Sequence, residues 1–432
     1  MALRPYQQKA VEAGIAFLNS KPANSKAKDN GIIVAPTAAG KSHMIAAIAK
    51  QVGRVVVLQP SKELLVQNYG KYIADGCQAS VYSASLKEKN VGEVTFATIG
   101  SIKEKGHLFT GVKLIIDECH LFPPKESSML GKFMKGAGIK KILGLTATPF
   151  RLDGDELKFL TRTNPKLFGC IVHCIQVSEI TSLGYWSKMM YKPVRFDDRL
   201  LKMNSAGTDY TEDSMKRAFK ANDMQGTILH TVHTMLNPPD GFAPRKSILV
   251  FVPSVGEAQD LAAKMDYAVA VWGDMPTDSR DRCIEDFKKG IISVVVNVNV
   301  LAVGFDHPGV DGIIVARPTL SLAWYYQAVG RGTRIDPTGR KKDCWVYDLA
   351  GTFDRFGRVE NLVIENIPNY GWGVLGSNQQ RLFTNISMSS GACFTRENIH
   401  MVAEYKKAMH LGLGWPPDKK KYYGQRPIFG GK

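Results

Sequence analysis

The chain has 432 residues, of which 44% are apolar and 22% charged, with a formal net charge of +16. Those proportions exclude a disordered or collagen-like chain and fit two or three domains of ordinary size. The positive excess points to a polyanionic partner, nucleic acid first, because Lys and Arg that neutralise phosphates release counterions.

In chain order, the N-terminal MALRPYQQKA has no secretory apolar core, and no later run approaches the ~18 apolar residues of a membrane span. A cytoplasmic protein, bacterial or in a virus host, with no membrane partner is expected. Leu3-Arg4-Pro5-Tyr6-Gln7 precedes a helical run. A Gln amide donates to and accepts from one edge of adenine at once, so Arg4 and Gln7 are candidates for holding a nucleotide base. Next, the apolar run Ile32–Val34 stops at Ala35-Pro36-Thr37-Ala38-Ala39-Gly40-Lys41-Ser42 and passes into an amphipathic run to Lys50. That order reads as strand, phosphate-binding loop, helix start. Backbone N–H groups of Thr37, Ala38, Ala39 and Gly40, following Pro36, would surround the phosphates of a nucleoside triphosphate. The Lys41 ammonium would cover the β and γ oxygens, and the Ser42 hydroxyl would ligate Mg²⁺. Ala35 stands where the usual pattern has its first Gly.

Short β-branched runs at Val55–Leu58, Val94–Ala97, Val112–Ile116 and Ile142–Leu145 alternate with longer amphipathic ones, such as Lys62–Ala74. This rhythm implies a parallel, doubly wound sheet. Val112–Ile116 runs into Asp117-Glu118-Cys119-His120, which puts two carboxylates at the carboxyl end of a buried strand, the edge where such sheets bind ligands. Asp117 is expected to hold Mg²⁺ through water, and Glu118 to orient or deprotonate the attacking water. The seven cysteines include no C-x-x-C pair, which argues against a disulfide framework or a zinc ribbon.

Residues from about 151 to 240, with helix-like segments Val177–Leu183 and Thr211–Met235, read as a connector and the opening of a second lobe. Past the Pro/Gly-rich stretch Asn237–Pro244, strands are expected at Ile248–Val252, Ala268–Val271, Val294–Val298, Ile313–Val315 and Cys344–Tyr347. Helices are expected at Val255–Lys264 and Thr277–Lys289. In Tyr326–Arg334, Arg331 and Arg334 stand three apart, so on one helical turn they point the same way. With Gln327 they complete the candidate catalytic set. An arginine finger contributes roughly 10³–10⁵ in rate, and placed on a lobe other than that of the phosphate loop it makes hydrolysis depend on closure. Beyond about residue 352 come Gly/Asn-rich sequence, a helix at Thr395–Leu411 and the basic run Lys419–Lys421 with Tyr422 and Tyr423. Trp186, Trp372, Phe383 and Trp415 are candidate platforms for unpaired bases.

Gln7, Pro36–Ser42, Leu58–Leu64, Thr95–Thr98, Asp117–His120, Thr146–Arg151, Gly304–Asp306 and Gln327–Arg334 occur in the order and spacing of a superfamily 2 helicase, over nearly residues 3 to 350. Val300–Asp306, Arg317-Pro318-Thr319, and Asp348–Gly351 with Arg355-Phe356-Gly357 resemble the RadD/YejH-type DNA repair helicases of the wider DEAD/DEAH group. The resemblance implies an α/β fold: two RecA-like doubly wound parallel-sheet lobes, at 1–185 and 186–352, with a small C-terminal extension at 353–432. It implies ATP and Mg²⁺ as cofactors. By the same resemblance Thr146, Ala147 and Thr148 would couple the ATP site to the nucleic-acid groove, while Gln59, Pro60, Ser61, Thr98 and Asn299 would lie near the nucleic-acid backbone. Gly304 and Asp306 would approach the nucleotide and its ribose, and Arg331 and Arg334 would be the fingers.

The sequence departs from the family at Ala38, where Gly is common and the backbone has more freedom. Ala302 and Val303 replace polar residues, which removes hydroxyl donors to a phosphate backbone. The cysteine-rich zinc module of RadD-like proteins has no counterpart. The implied activity is that of a monomeric ATP-dependent DNA helicase or translocase that unwinds or branch-migrates single-stranded, forked or branched DNA. An RNA helicase, or a nucleic-acid-dependent ATPase switch without unwinding, are the alternatives.

Overall fold

The computed structural model describes residues 3–21, 30–153, 156–205, 207–302, 305–367 and 371–376. The chain divides into two compact units, Met1–Arg151 with Lys158–Ile180, and Leu152–Leu157 with Thr181–Lys432. Gly304, Phe383, Trp415, the helix expected at 395–411 and the basic run 419–421 lie outside the described residues.

In the first unit the strands are β1 (Asn30–Val34), β2 (Val55–Gln59), β3 (Ser80–Ser83), β4 (Glu88–Lys89), β5 (Val94–Thr98), β6 (Lys113–Asp117) and β7 (Ile142–Thr146). β8 (Phe150–Asp153) and β9 (Glu156–Phe159) form a separate two-stranded sheet, with residues 152–157 belonging to the second unit, and β10 (Cys170–Cys174) follows. The sheet runs β10-β1-β7-β6-β2-β5-β3-β4 and is parallel except at the β3–β4 edge. Every residue of β1, β2 and β7 is buried, as Val/Ile-rich strands covered on both faces must be. Helices α1 (Pro5–Asn19), α2 (Lys41–Ala49), α3 (Lys62–Ala74), α4 (Ile99–Ile102) and α5 (Met129–Ala137) connect them. α3 starts where Ser61 accepts a hydrogen bond from the Leu64 N–H at 3.3 Å, and it buries the stripe Leu64, Leu65, Asn68 and Tyr72.

After α6 (Val177–Ser182), the second unit holds β11 (Lys188–Pro193), β12 (Ile248–Phe251), β13 (Ala268–Trp272), β14 (Val294–Val298), β15 (Gly312–Val315) and β16 (Asp343–Asp348). Their order is β11-β16-β15-β12-β14-β13, all parallel. Ile248, Val250, Val294, Val296, Ile314 and Trp345 form its core with Ile228, Val232 and Leu261. The expected single helical segment 211–235 is two helices, α7 (Glu212–Ala221) and α8 (Met224–Leu236). Asp223 between them is left-handed at φ 45°, and the Asn222 amide bonds back to the Ala218 carbonyl at 2.8 Å, the kind of local competition that ends helices. α9 (Val255–Ala262), α10 (Thr277–Lys289), α11 (Leu322–Val329) and α12 (Thr352–Phe356) complete the helices among the described residues. An antiparallel pair, β17 (Val363–Ile367) with β18 (Gly371–Leu375), follows. Among the described residues no helix is long and apolar enough to cross a membrane.

Candidate nucleotide-binding site

β1 and β7 are adjacent and in register, with Val34 opposite Thr146, and the Ala35 N–H bonds the Thr146 carbonyl at 2.9 Å. The chain therefore leaves β1 at the carboxyl edge of the sheet, and 35–40 form the loop into α2. Ala38 (φ 61°) and Gly40 (φ 81°) are left-handed. A Cβ on Gly40 would lie 2.4 Å from Gln7 Nε2, so only glycine fits there without displacing the Gln7 side chain. Gln7 itself donates to the Ala39 carbonyl at 2.8 Å and accepts from the Arg4 N–H at 2.9 Å. Arg4 in turn donates to the Tyr6 hydroxyl, which reaches the same Ala39 carbonyl. The amide expected to read adenine thus grips the loop, and a carboxamide with two N–H groups and two lone pairs retains one of each.

β6 lies next to β7, with Asp117 opposite Leu145. Two adjacent strands thus carry Thr146 and Asp117 to the edge where the loop emerges. The Lys41 ammonium sits 3.0 Å from Glu118 Oε1, and His120 Nδ1 lies 3.5 Å from Glu118 Oε2. Thr146 Oγ1 pairs with His120 Nδ1 at 2.8 Å and accepts from the Thr148 N–H at 3.0 Å. Thr146, Ala147 and Thr148 are all buried. Asp117 Oδ1 accepts from the Glu118 N–H at 2.9 Å, and Asp117 Oδ2 from the Asn68 amide at 2.8 Å.

Burial, and then the Glu118 charge, push the Asp117 carboxyl up to about 6, against Lys41 and the two donors. Burial also takes His120 down to about 4, so its ring is neutral near pH 7. The oxygens of Asp117 and of Ser42, in the first turn of α2, are the hard donors that Mg²⁺ prefers, so the residues present fit that ion. Asn68 and His120 were not among the expected site residues. An Asn inside the apolar stripe 64, 65, 68 and 72 was the signal for the first.

The residues expected along the nucleic acid divide. Gln59 ends β2 wholly buried, with neither amide atom hydrogen-bonded, so the expected backbone contact is not open to it here. Pro60 and Ser61 are half-buried, and Thr98 pairs with the Ser101 hydroxyl at 2.9 Å. Asn299, in the second unit, is exposed and left-handed at φ 58° just past β14. Trp186 is 7% exposed and cannot serve as a platform for a base, whereas Trp372 is half-buried.

Arg331 and Arg334 do not share a helical face. Gly330 ends α11, Gly330–Thr333 form a 3₁₀ turn, and Arg334 is extended beyond it. Arg331 is buried and donates to the carbonyls of Ala302, Phe305 and Gln327. Arg334 Nε pairs with Asp306 at 2.8 Å, both partly exposed, while Gln327 is buried on α11.

Residues 1–151 match the family profile "Type III restriction enzyme, res subunit", and residues 230–336 match "Helicase conserved C-terminal domain". The chain is similar to a 51.5 kDa protein of Lactococcus phage isolate 7-9, 25% identical over 316 residues, with 70% of this chain and 62% of that protein covered. It is similar as well to a Saccharomyces cerevisiae protein named "Putative ATP-dependent helicase IRC3", 25% identical over 249 residues, with 55% of this chain and 34% of the relative covered. The chain spans between about a third and three fifths of the length of these curated relatives. The solved structure of the ATP-dependent Type ISP restriction-modification enzyme LlaBIII bound to DNA aligns with 81% of this chain and 28% of its own. Its TM-score is 0.56 at 16% identity, a likeness of fold. The two matched domains, in this order, support a superfamily 2 helicase-type ATPase.

Proposed function

We propose that the chain hydrolyses ATP with Mg²⁺ and uses the cycle to translocate on DNA and separate or branch-migrate its strands. The observation that carries the reading is the Lys41–Glu118 ion pair at 3.0 Å beside Asp117, at the sheet edge where the 35–40 loop emerges. Lys41 exchanges Glu118 for phosphate oxygens when ATP enters, which leaves the Glu118 carboxylate to take a proton from the attacking water. Bound Mg²⁺ would neutralise charge on the β- and γ-phosphates. Gln7 keeps its grip on Ala39 and turns its remaining donor and acceptor to the base, and Arg334 takes the arginine-finger role.

The net charge of +16 and the DNA-bound Type ISP enzyme of like fold favour DNA as the partner. The runs 300–306 and 317–319 favour RadD/YejH-type repair kinship within the superfamily. The test is ATP turnover with single-stranded, duplex and forked DNA and with RNA, for wild type, Lys41→Ala and Glu118→Gln. We expect DNA to stimulate turnover, Lys41→Ala to abolish it in folded protein, and Glu118→Gln to bind ATP without hydrolysing it. Stimulation by RNA alone would replace DNA with RNA, and a fully active Lys41→Ala variant would overturn the assignment.

A further inference from the structure

The hydrogen bond from Asn68 to Asp117 joins residues 49 positions apart, at 2.8 Å, with Asn68 1% and Asp117 3% exposed. We infer that Asn68 is the positioning residue of the Asp117 carboxylate that would hold Mg²⁺, fixing its orientation through the hydrogen bond to Oδ2. The inference rests on the ATP-hydrolysing reading. Each Asp117 oxygen accepts one donor, the Glu118 N–H on Oδ1 and the Asn68 amide on Oδ2, so the carboxylate cannot turn without losing a bond.

The sense of the Asn68 amide is dictated by chemistry, since the flipped amide would set an oxygen against a carboxylate oxygen at 2.8 Å. Asn68 Oδ1, by contrast, is buried with no hydrogen-bond partner. A leucine would pack the Leu64, Leu65 and Tyr72 stripe of α3 with no orphaned acceptor. What the amide alone supplies is the N–H on Asp117. Groups that orient a metal-bearing residue from behind in this way are worth about 10–100-fold in metal affinity.

The experiment titrates Mg²⁺ into the full chain with a fluorescent ATP analogue and follows binding, then repeats the measurement in EDTA. For Asn68→Leu, the same shape without the donor, the Mg²⁺ midpoint should rise by about tenfold or more while binding in EDTA stays as in wild type. In an Asp117→Asn background, Asn68→Leu should add no further shift, because the amide acts through that carboxylate. Asn68→Ala, which removes the donor without adding bulk, makes the same comparison should the leucine variant fold poorly, and the same direction is expected. A folded variant with an unmoved midpoint, even one that melts earlier than wild type, would reduce Asn68 to a structural residue and overturn the inference alone. A wild type whose analogue binding ignores Mg²⁺ would remove the ATP-hydrolysing reading and the inference with it.

Discussion

Ala38 holds a left-handed conformation, φ 61°, in the loop that leads into α2. Such a conformation costs an L-residue roughly 1–2 kcal/mol, while a glycine there returns about 0.4–1 kcal/mol of that through the freer unfolded chain. Ala38→Gly should therefore melt at or slightly above wild type. Ala38→Val, branched at Cβ, should lose more than about 1 kcal/mol. Thermal melts of both variants test this, and a destabilised glycine variant would contradict the backbone geometry of the loop. His120 makes a second prediction with a definite sign. Its folded pKa, about 4, lies below the ordinary 6.5, so the unfolded chain takes up the proton first as pH falls. The stability carried by the neutral ring is complete above about pH 6.5 and is lost as pH falls toward 4. Asp117 works the opposite way, since its folded pKa, about 6, is above the ordinary 3.8 and its ionisation destabilises as pH rises. Replacing His120 with Gln deletes only the first contribution. The variant should thus gain stability relative to wild type between pH 7 and pH 5 in urea titrations. An equal difference at the two pH values would mean that the ring is not held neutral by burial.

At the scale of elements, α11 and the turn after it separate two arginines that sequence spacing put on one face. The turn at Gly330–Thr333 is 3₁₀ and not a further α-turn, so Arg331 points inward to three carbonyls and Arg334 reaches Asp306. Removing Arg331 leaves buried carbonyls without donors, each worth about 1–3 kcal/mol. Arg331→Ala should therefore lower stability by at least about 2 kcal/mol, whereas Arg334→Ala, which breaks a partly exposed pair, should change it by under about 1 kcal/mol. If Arg334 is the finger, its loss should instead cut DNA-stimulated kcat by roughly 10³-fold with ATP binding retained. Turnover normalised to folded protein, with melting curves, separates the two, and the opposite pattern would exchange the roles. The same contrast marks what was legible in the sequence. α3, α10 and β14 end at the residues that periodicity predicts, because apolar spacing and local end signals coincide there. The break at Asp223 was hidden, since apolar periodicity runs on through it, and β11 was missed because Lys188 and Lys192 dilute the signal of an edge strand. The strand-loop-helix around Lys41 and the Asp117-Glu118 pair are contiguous in sequence and could be read directly. Gln7 on Ala39 and Asn68 on Asp117 join residues 32 and 49 apart, which only tertiary packing brings together.

For the whole molecule the net charge of +16 sets how it should meet a nucleic acid. The residues expected along the nucleic acid, Pro60, Ser61, Thr98 and Asn299, are small or neutral groups that can meet a sugar-phosphate backbone, and Gln59 is buried. Binding should therefore be electrostatic in origin and indifferent to sequence. Each phosphate neutralised on a single strand contributes about 0.7 to the slope of log affinity against log salt, so three such contacts weaken binding by about tenfold or more between 50 and 200 mM salt. We expect at least that loss for single-stranded DNA, with scrambled sequences of equal length binding within about twofold of one another if backbone contacts carry the binding, since a bidentate base contact would add ~1–3 kcal/mol of discrimination. Fluorescence anisotropy of labelled oligonucleotides across that salt range measures both quantities in one series. A flat salt response would assign the positive charge to something other than phosphate neutralisation. A strong preference for one sequence would require base-reading side chains in contact with the nucleic acid, and would overturn the expectation of backbone binding.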